Sequence, residues 1–264
     1  MTGLLVAVIL GLVEGITEFL PVSSTGHLII AGDLLGFDSP SAPTFEIFIQ
    51  LGAVFAVVWH YRRRLWEVGL RAGGPVGREF LLPLFIAFLP AAVVGLLLHG
   101  WLKAHLFHPL VVAGALVVGG IVILILERIH FEDRIFDAER MPARTALGIG
   151  LAQLLALIPG TSRSAATILG GYALGCSRKA ATEFSFLLSI PVLGSATLYD
   201  LYQSRDLLSG RDVPMFAVGT AVAFITALVV IRGFLKYVSG HDFRPFAWYR
   251  IGFGLVVCGW YLWR

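Results

Sequence analysis

Apolar residues run along this chain in eight long stretches, near 3–31, 45–61, 80–100, 109–127, 143–175, 182–202, 213–235 and 246–263. Six of them are near the ~20 residues an α-helix needs to cross the hydrocarbon core of a bilayer. The other two, 3–31 and 143–175, are too long for one span, and a helix-breaking polar turn cuts each in the middle. The first turn reads Leu20-Pro21-Val22-Ser23-Ser24-Thr25-Gly26 and the second Ile158-Pro159-Gly160-Thr161-Ser162-Arg163-Ser164.

The two broken stretches open two similar halves. A shift of 139 positions places Gly11 on Gly150, Glu14 on Gln153, Ser23 on Ser162, Gly36 on Gly175 and Phe45 on Phe184. Further on, a shift of 136 pairs Ala87-Phe88 with Ala223-Phe224 and Pro109 with Pro245. Glycine, alanine and phenylalanine are common here, so each match alone carries little. Their shared order predicts an internal duplication within one membrane domain, 1–264, with repeat 1 at 1–127 and repeat 2 at 143–264.

The broken stretches also set the orientation of the second half. If each is a re-entrant hairpin, every repeat crosses the membrane three times and the second copy is inverted. If each crosses fully, there are four crossings and the copies run parallel. Short cytoplasmic loops concentrate Lys and Arg. With Arg163 and Arg250 set aside as membrane-embedded, the hairpin arrangement puts 14 basic residues inside and 4 outside, against 12 and 6 for full crossing. The expected fold is an all-α integral membrane protein, an inverted-topology repeat with six spanning helices and two re-entrant helical hairpins, both termini outside. Broken helices of such repeats meet near the midplane, where irregular backbone is tolerated only beside protein or a water-filled cavity. The two turns should therefore face each other.

Composition agrees: 57% of the 264 residues are hydrophobic and 14% charged, against roughly 25% charged in soluble domains, and mean hydropathy is +0.83. The net charge of +3 forms no basic stripe with interleaved aromatics, so no nucleic-acid partner is expected. Cys176 and Cys258 have neither CxxC nor Cys/His spacing, which argues against a disulfide framework and a zinc site. The first residues lack a basic n-region and are expected to stay in the mature protein.

The turns carry the chemistry. Glu14 and Glu18 lie four apart, on one helix face and roughly 5–6 Å apart at Cβ. Two carboxylates in a membrane segment are costly unless a cation offsets them, so they suggest a divalent-metal site or an acid/base pair beside a polyanion. An interhelical hydrogen-bonded pair is the plainer alternative. Ser23, Ser24 and Thr25 would cap the second half-helix and leave its N–H groups facing a cavity, which suits an anion. His27, three residues after Ser24, is near enough to serve that hydroxyl or a water as base; a hydrogen-bonded structural histidine is the plainer alternative. Arg163, between Ser162 and Ser164, sits in an apolar stretch where only an anionic partner explains it; its planar fork matches phosphate oxygens. Gln153, at the place of Glu14, could hydrogen-bond in the site without charge. Glu46 and Gln50 either line the cavity or pack. The spacings Gly11–Gly15 and Gly171–Gly175 suggest close helix packing, and Trp and Tyr near 248–263 an interfacial belt.

In these residues the chain resembles the undecaprenyl-pyrophosphate phosphatases of the BacA/UppP type, the bacitracin-resistance family of bacterial plasma membranes. That family's first motif stands as Glu14-Gly15-Ile16-Thr17-Glu18, running through Pro21-Val22-Ser23-Ser24-Thr25-Gly26-His27. The second stands as Pro159-Gly160-Thr161-Ser162-Arg163-Ser164-Ala165-Ala166-Thr167. The resemblance implies removal of the terminal phosphate of a C55 isoprenyl pyrophosphate lipid, giving the monophosphate carrier of peptidoglycan synthesis and inorganic phosphate. It also implies a divalent cation, Mg2+ or Ca2+, a site opening to the outer face of the plasma membrane, and catalytic roles for Glu14, Glu18, Ser24 and His27. Glu14 and Glu18 would hold the metal, and Ser23, Thr25, Ser162, Arg163, Ser164 and Thr167 would grip the substrate. The attacking group is Ser24 or a metal-held water, and a homodimer is left open. The rival reading is a lipid-phosphate flippase or anion transporter, which would bind phosphate without breaking it and has no need of Glu18, Ser24 and His27 as proton-transfer or nucleophilic groups.

Overall fold

The computed structural model describes residues 3–37, 42–106, 108–205, 210 and 212–263. Among them the chain is helical, with one isolated β-bridge between Ile135 and Cys176. In chain order the helices are α1 (Gly3–Thr17), α2 (Ser24–Leu35), α3 (Ala42–His60), α4 (Arg62–Leu70), α5 (Pro75–His105), α6 (Pro109–Leu126), α7 (Ala143–Gln153), α8 (Arg163–Ala173), α9 (Arg178–Ser204), α10 (Val213–Val238) and α11 (Arg244–Trp263). Short 3-10 turns cover Ala138–Arg140 and Leu154–Leu157.

Helices α3, α5, α6, α9 and α10 are long and apolar enough to cross a membrane, which makes this a multi-pass membrane protein. The stretch 246–263 forms α11, 20 residues long, but it is not among these five. Arg244, Arg250 and five Trp and Tyr side chains lower its hydropathy. The two broken stretches each give a pair of short helices: 15 and 12 residues for α1 and α2, 11 and 11 for α7 and α8. At 1.5 Å per residue these reach roughly 16–23 Å, short of the ~30 Å core.

The joints between the short helices recur 139 residues apart. Ser23 (φ 71°, ψ 94°) and Ser162 (φ 74°, ψ 116°) are the described non-glycine residues with positive φ. Such backbone costs on the order of 1–3 kcal/mol, partly offset because each serine caps the helix that follows it. Ser23 Oγ accepts from Gly26 N at 3.4 Å and Ser162 Oγ from Ala165 N at 3.2 Å. The far ends of α2 and α8 match as well. Gly36 N donates to Asp33 O and Phe37 N to Gly32 O, at 3.2 and 2.9 Å. Gly175 N donates to Tyr172 O and Cys176 N to Gly171 O, both at 3.0 Å. Both glycines are left-handed, with φ of 63° and 88°, as this type of helix stop requires.

Each leading short helix packs on a long helix from the other half. A Cβ on Gly11 would lie 2.6 Å from Gly219 O, and one on Gly15 2.7 Å from Ala223 O, so α1 and α10 touch backbone to backbone. A Cβ on Gly150 would lie 2.5 Å from Ala87 O, joining α7 to α5 in the same way. Gly171 packs closely on Ala181 as its spacing suggests, whereas Gly175 is the helix stop just described rather than a packing residue. Phe19, Ile149, Ile168, Phe184, Phe186 and Phe234 belong to the larger core cluster beneath the turns. Leu10, Phe45, Ile49 and Phe216 form part of a second.

Candidate active site

The first turn places a carboxylate and a hydroxyl against each other. Helix α1 continues one residue further, with Glu18 N donating to Glu14 O at 2.9 Å. The chain then turns through Pro21, and the strained Ser23 starts α2 with Ser24 as its first residue. Ser24 Oγ donates to Glu18 Oε2 at 2.5 Å. Glu18 and Ser24 are 6% and 7% exposed, so this short bond forms away from solvent. Thr25 lies half-buried next to them.

The second turn reaches the same carboxylate from the other side. Arg163 Nη2 donates to Glu18 Oε1 at 2.9 Å. Its Nη1 donates to Ser185 O at 2.9 Å and Ser185 Oγ at 3.2 Å. Thr167 Oγ1 donates to Arg163 O at 2.9 Å and meets Ser185 Oγ at 2.6 Å. Ser164 Oγ donates to Leu20 O at 2.7 Å, stitching the second turn to the first. Its proton thus spent, it accepts from Ser162 Oγ at 2.9 Å. The structure thus brings Glu18, Ser24, Ser162, Arg163, Ser164 and Thr167 into one buried network. It adds Ser185, whose only sequence signal is a polar stripe on α9, Thr182, Ser185 and Ser189, all 0% exposed.

His27 takes a different position from the one its spacing suggests. Its Nδ1 lies 2.7 Å from Ser23 O, and a carbonyl only accepts, so this nitrogen carries the proton. Nε2 is then the acceptor, and Tyr249 Oη donates to it at 2.7 Å. The ring also stacks on Phe253 with centroids 4.2 Å apart. Both nitrogens being engaged, His27 makes no bond to Ser24, and Glu18 is the carboxylate in contact with that hydroxyl. From the sequence Tyr249 reads only as part of an interfacial belt, and Phe253 gives no signal at all.

Arg250 joins the turns from behind. Fully buried, it donates to Pro21 O in the first turn at 3.3 Å and Gly160 O in the second at 3.0 Å. It also donates to Ala115 O at 3.2 Å and Leu116 O at 3.4 Å on α6.

The carboxylates suit a hard divalent cation. Glu14 is 0% exposed, and both its oxygens lack a hydrogen-bond partner. Glu18, Glu46 and Arg163 are the charged groups around it. Unpartnered buried carboxylate oxygens beside a second carboxylate are the donor set such ions take. Among the described residues no group of three or more His, Cys, Asp or Glu forms a cage, so water and phosphate oxygens would complete the shell. Gln153, the counterpart of Glu14, is likewise buried with both amide atoms unpartnered.

Two helix starts, an arginine and a carboxylate–hydroxyl pair lie together, an arrangement whose chemistry suits an anion, and comparison with known proteins gives the family. The family described as bacitracin resistance protein BacA matches residues 7–256. This chain belongs to the BacA family. Its relatives include an undecaprenyl-diphosphatase of Nitrosomonas europaea, 56% identical over 254 residues that cover 96% of this chain and 93% of the relative. Undecaprenyl-diphosphatase 2 of Rhodospirillum rubrum is 58% identical over 256 residues, covering 96% and 93%. The Chromobacterium violaceum protein named undecaprenyl-diphosphatase 1 is 55% identical, covering 96% and 94%. The family match, residues 7–256, spans both turns.

Proposed function

We propose that this chain is an undecaprenyl-diphosphatase, hydrolysing undecaprenyl pyrophosphate to undecaprenyl phosphate and inorganic phosphate and so recycling the carrier lipid of peptidoglycan synthesis. One observation carries the mechanism: Glu18 holds the Ser24 hydroxyl on one oxygen and the Arg163 guanidinium on the other. Phosphoryl transfer depends mainly on positioning and on neutralising charge. Glu18 takes the proton of Ser24 as Oγ attacks the terminal phosphorus. The Oγ–P bond forms, the bond from phosphorus to the bridging oxygen breaks, and the lipid leaves as its monophosphate. Water then cleaves the Oγ–P bond, releasing phosphate, and Glu18 returns the proton to Ser24.

Arg163 faces the phosphate oxygens, with its Nε buried and unpartnered and thus free to donate. The N-termini of α2 and α8 add N–H groups aimed at the same anion. Glu14 and Glu18 would hold Mg2+ or Ca2+, which when bound offsets pyrophosphate charge. His27 keeps the first turn in place through Ser23 O. A flippase or carrier reading leaves the pairing of the Ser24 hydroxyl with the Glu18 carboxylate without a task, since binding phosphate needs no base beside a hydroxyl.

The architecture that fits this reading is an inverted repeat of 1–127 and 143–264. The short helix pairs form re-entrant hairpins, α11 is the sixth span, and the site opens to the outer face of the bacterial plasma membrane. The recurrence of both joints at a 139-residue spacing supports the repeat. Phosphate release from purified protein supplied with isoprenyl pyrophosphate, with and without chelator, tests the activity. Release no greater than that of a Ser24→Ala/Arg163→Ala control would reject it.

A further inference from the structure

Arg250 is the largest fully buried side chain among the described residues, and every hydrogen-bond acceptor it has is a backbone carbonyl. A guanidinium buried without a carboxylate carries a large desolvation cost. Helix packing alone would be served better by an apolar residue. The sequence makes room for it at Gly119, where a Cβ would collide with the guanidinium. Next to it, Gly120 brings α6 against Ala247 O of α11. The fork thus rests on α6 through Ala115 and Leu116, and from there extends one donor to each turn.

The two carbonyls it gathers are close to the chemistry. Pro21 is three residues before Ser24, and Gly160 three before Arg163. Those are the two groups that must meet on Glu18. Proline and the left-handed Gly160 (φ 94°) leave these segments outside any helical ladder, so their carbonyls need an outside donor. A lysine ammonium, a point charge without the planar fork, would not reach four carbonyls on three segments.

We infer that Arg250 is a positioning residue for phosphoryl transfer: it holds the Pro21 and Gly160 carbonyls at a fixed separation and so sets Ser24 and Glu18 against Arg163. The inference rests on the hydrolase reading. Misplacing reacting groups by about 1 Å costs on the order of 10²-fold in rate, and the loss falls on kcat, because the lipid and its pyrophosphate still bind.

The test uses the full-length protein in detergent and follows phosphate release from isoprenyl pyrophosphate. Gly119→Ala displaces the guanidinium while keeping its charge, and Arg250→Lys keeps the charge without the fork. Both should lower kcat about 10–100-fold and leave KM within about threefold. Gly114→Ala, on the same helix with open space around it, should leave kcat unchanged. Because the three atoms nearest a Cβ on Gly119 all belong to Arg250, adding Gly119→Ala to Arg250→Met should cost little more. Wild-type kcat in Gly119→Ala, or losses that multiply in the double variant, would overturn the inference. Should Arg250→Met fail to fold, Gly119→Ala and Arg250→Lys decide alone. An inactive wild-type protein would instead reject the hydrolase reading.

Discussion

Glu18 and Arg163, 145 residues apart in the chain, meet at 2.9 Å with only 6% and 10% of their side chains exposed. The pair lies at the seam between the two turns, and the second oxygen of Glu18 is already bound to Ser24. Arg163 thus holds Glu18 in line, and in the proposed mechanism it also faces the substrate phosphate.

Arg163→Lys should therefore lower kcat/KM by about 10²-fold in the phosphate-release assay. The ammonium keeps the charge but cannot span Glu18 and Ser185 together. Arg163→Ala should lower it further, by roughly 10³-fold, as a preorganised charge partner of the transferring group is lost, without unfolding the protein. Wild-type kcat/KM in Arg163→Ala would remove the residue from the site.

Ser24→Ala should abolish turnover, with a loss of at least ~10³-fold in kcat. Acid-quenched wild-type enzyme should carry phosphate on the peptide containing Ser24, seen by mass spectrometry. Residual turnover within tenfold of wild type in Ser24→Ala would show that water attacks directly.

Tyr249→Phe removes the donor to His27 Nε2 but leaves the ring stack. Losing one hydrogen bond of ~1 kcal/mol should lower kcat roughly fivefold. His27→Ala, which loses the Ser23 contact as well, should cost more. Equal and negligible effects of both would detach His27 from the site.

Chelation should remove activity, and added Mg2+ or Ca2+ should restore it. Glu14→Gln halves the buried carboxylate pair, so it should raise the cation concentration needed for half-maximal rate by ~10-fold or more. A chelator-resistant enzyme would leave Glu14 without its assigned partner.

Cysteine labelling in intact cells should find 62–78, 128–144 and the 239–243 link between α10 and α11 on the cytoplasmic side. Cys176 can stay in place for this, because burial, with Asp133 nearby, pushes its thiol up to about 12 and it stays protonated at pH 8. Labelling of 239–243 from outside would reject the inverted repeat.

Much of the site is legible in the sequence, and what is missing has a physical cause. Pro21 and Pro159 break apolar runs, and the serines that follow announce caps. An arginine in such a run is conspicuous, so both turns and Arg163 emerge from pattern alone. The link between Glu18 and Arg163 does not, since periodicity speaks only of residues a few positions apart. Ser185 shows only through its stripe with Thr182 and Ser189, because a single serine in an apolar helix is unremarkable. Tyr249 is hidden because an aromatic at the end of a span already has an explanation. Arg250 stands out by the same reasoning as Arg163, yet its acceptors are carbonyls, which leave no trace in side-chain identity. His27 shows the limit of spacing: three residues from Ser24 puts it within reach, but its ring turns to Ser23 O and Tyr249.

The matching joints have one more consequence. Ser24 and Arg163 occupy the same place, the first helical residue after the strained serine, in the two copies of that joint. Two identical halves assembled symmetrically would present the same side chain from both directions, two hydroxyls or two guanidinium groups, and neither pairing is a nucleophile facing its charge partner. A single polypeptide carrying both halves escapes that constraint, because each copy can diverge while the shared geometry persists. The division between attack and recognition in the proposed mechanism is thus available only to the fused chain, and no homodimer of either half could reproduce it.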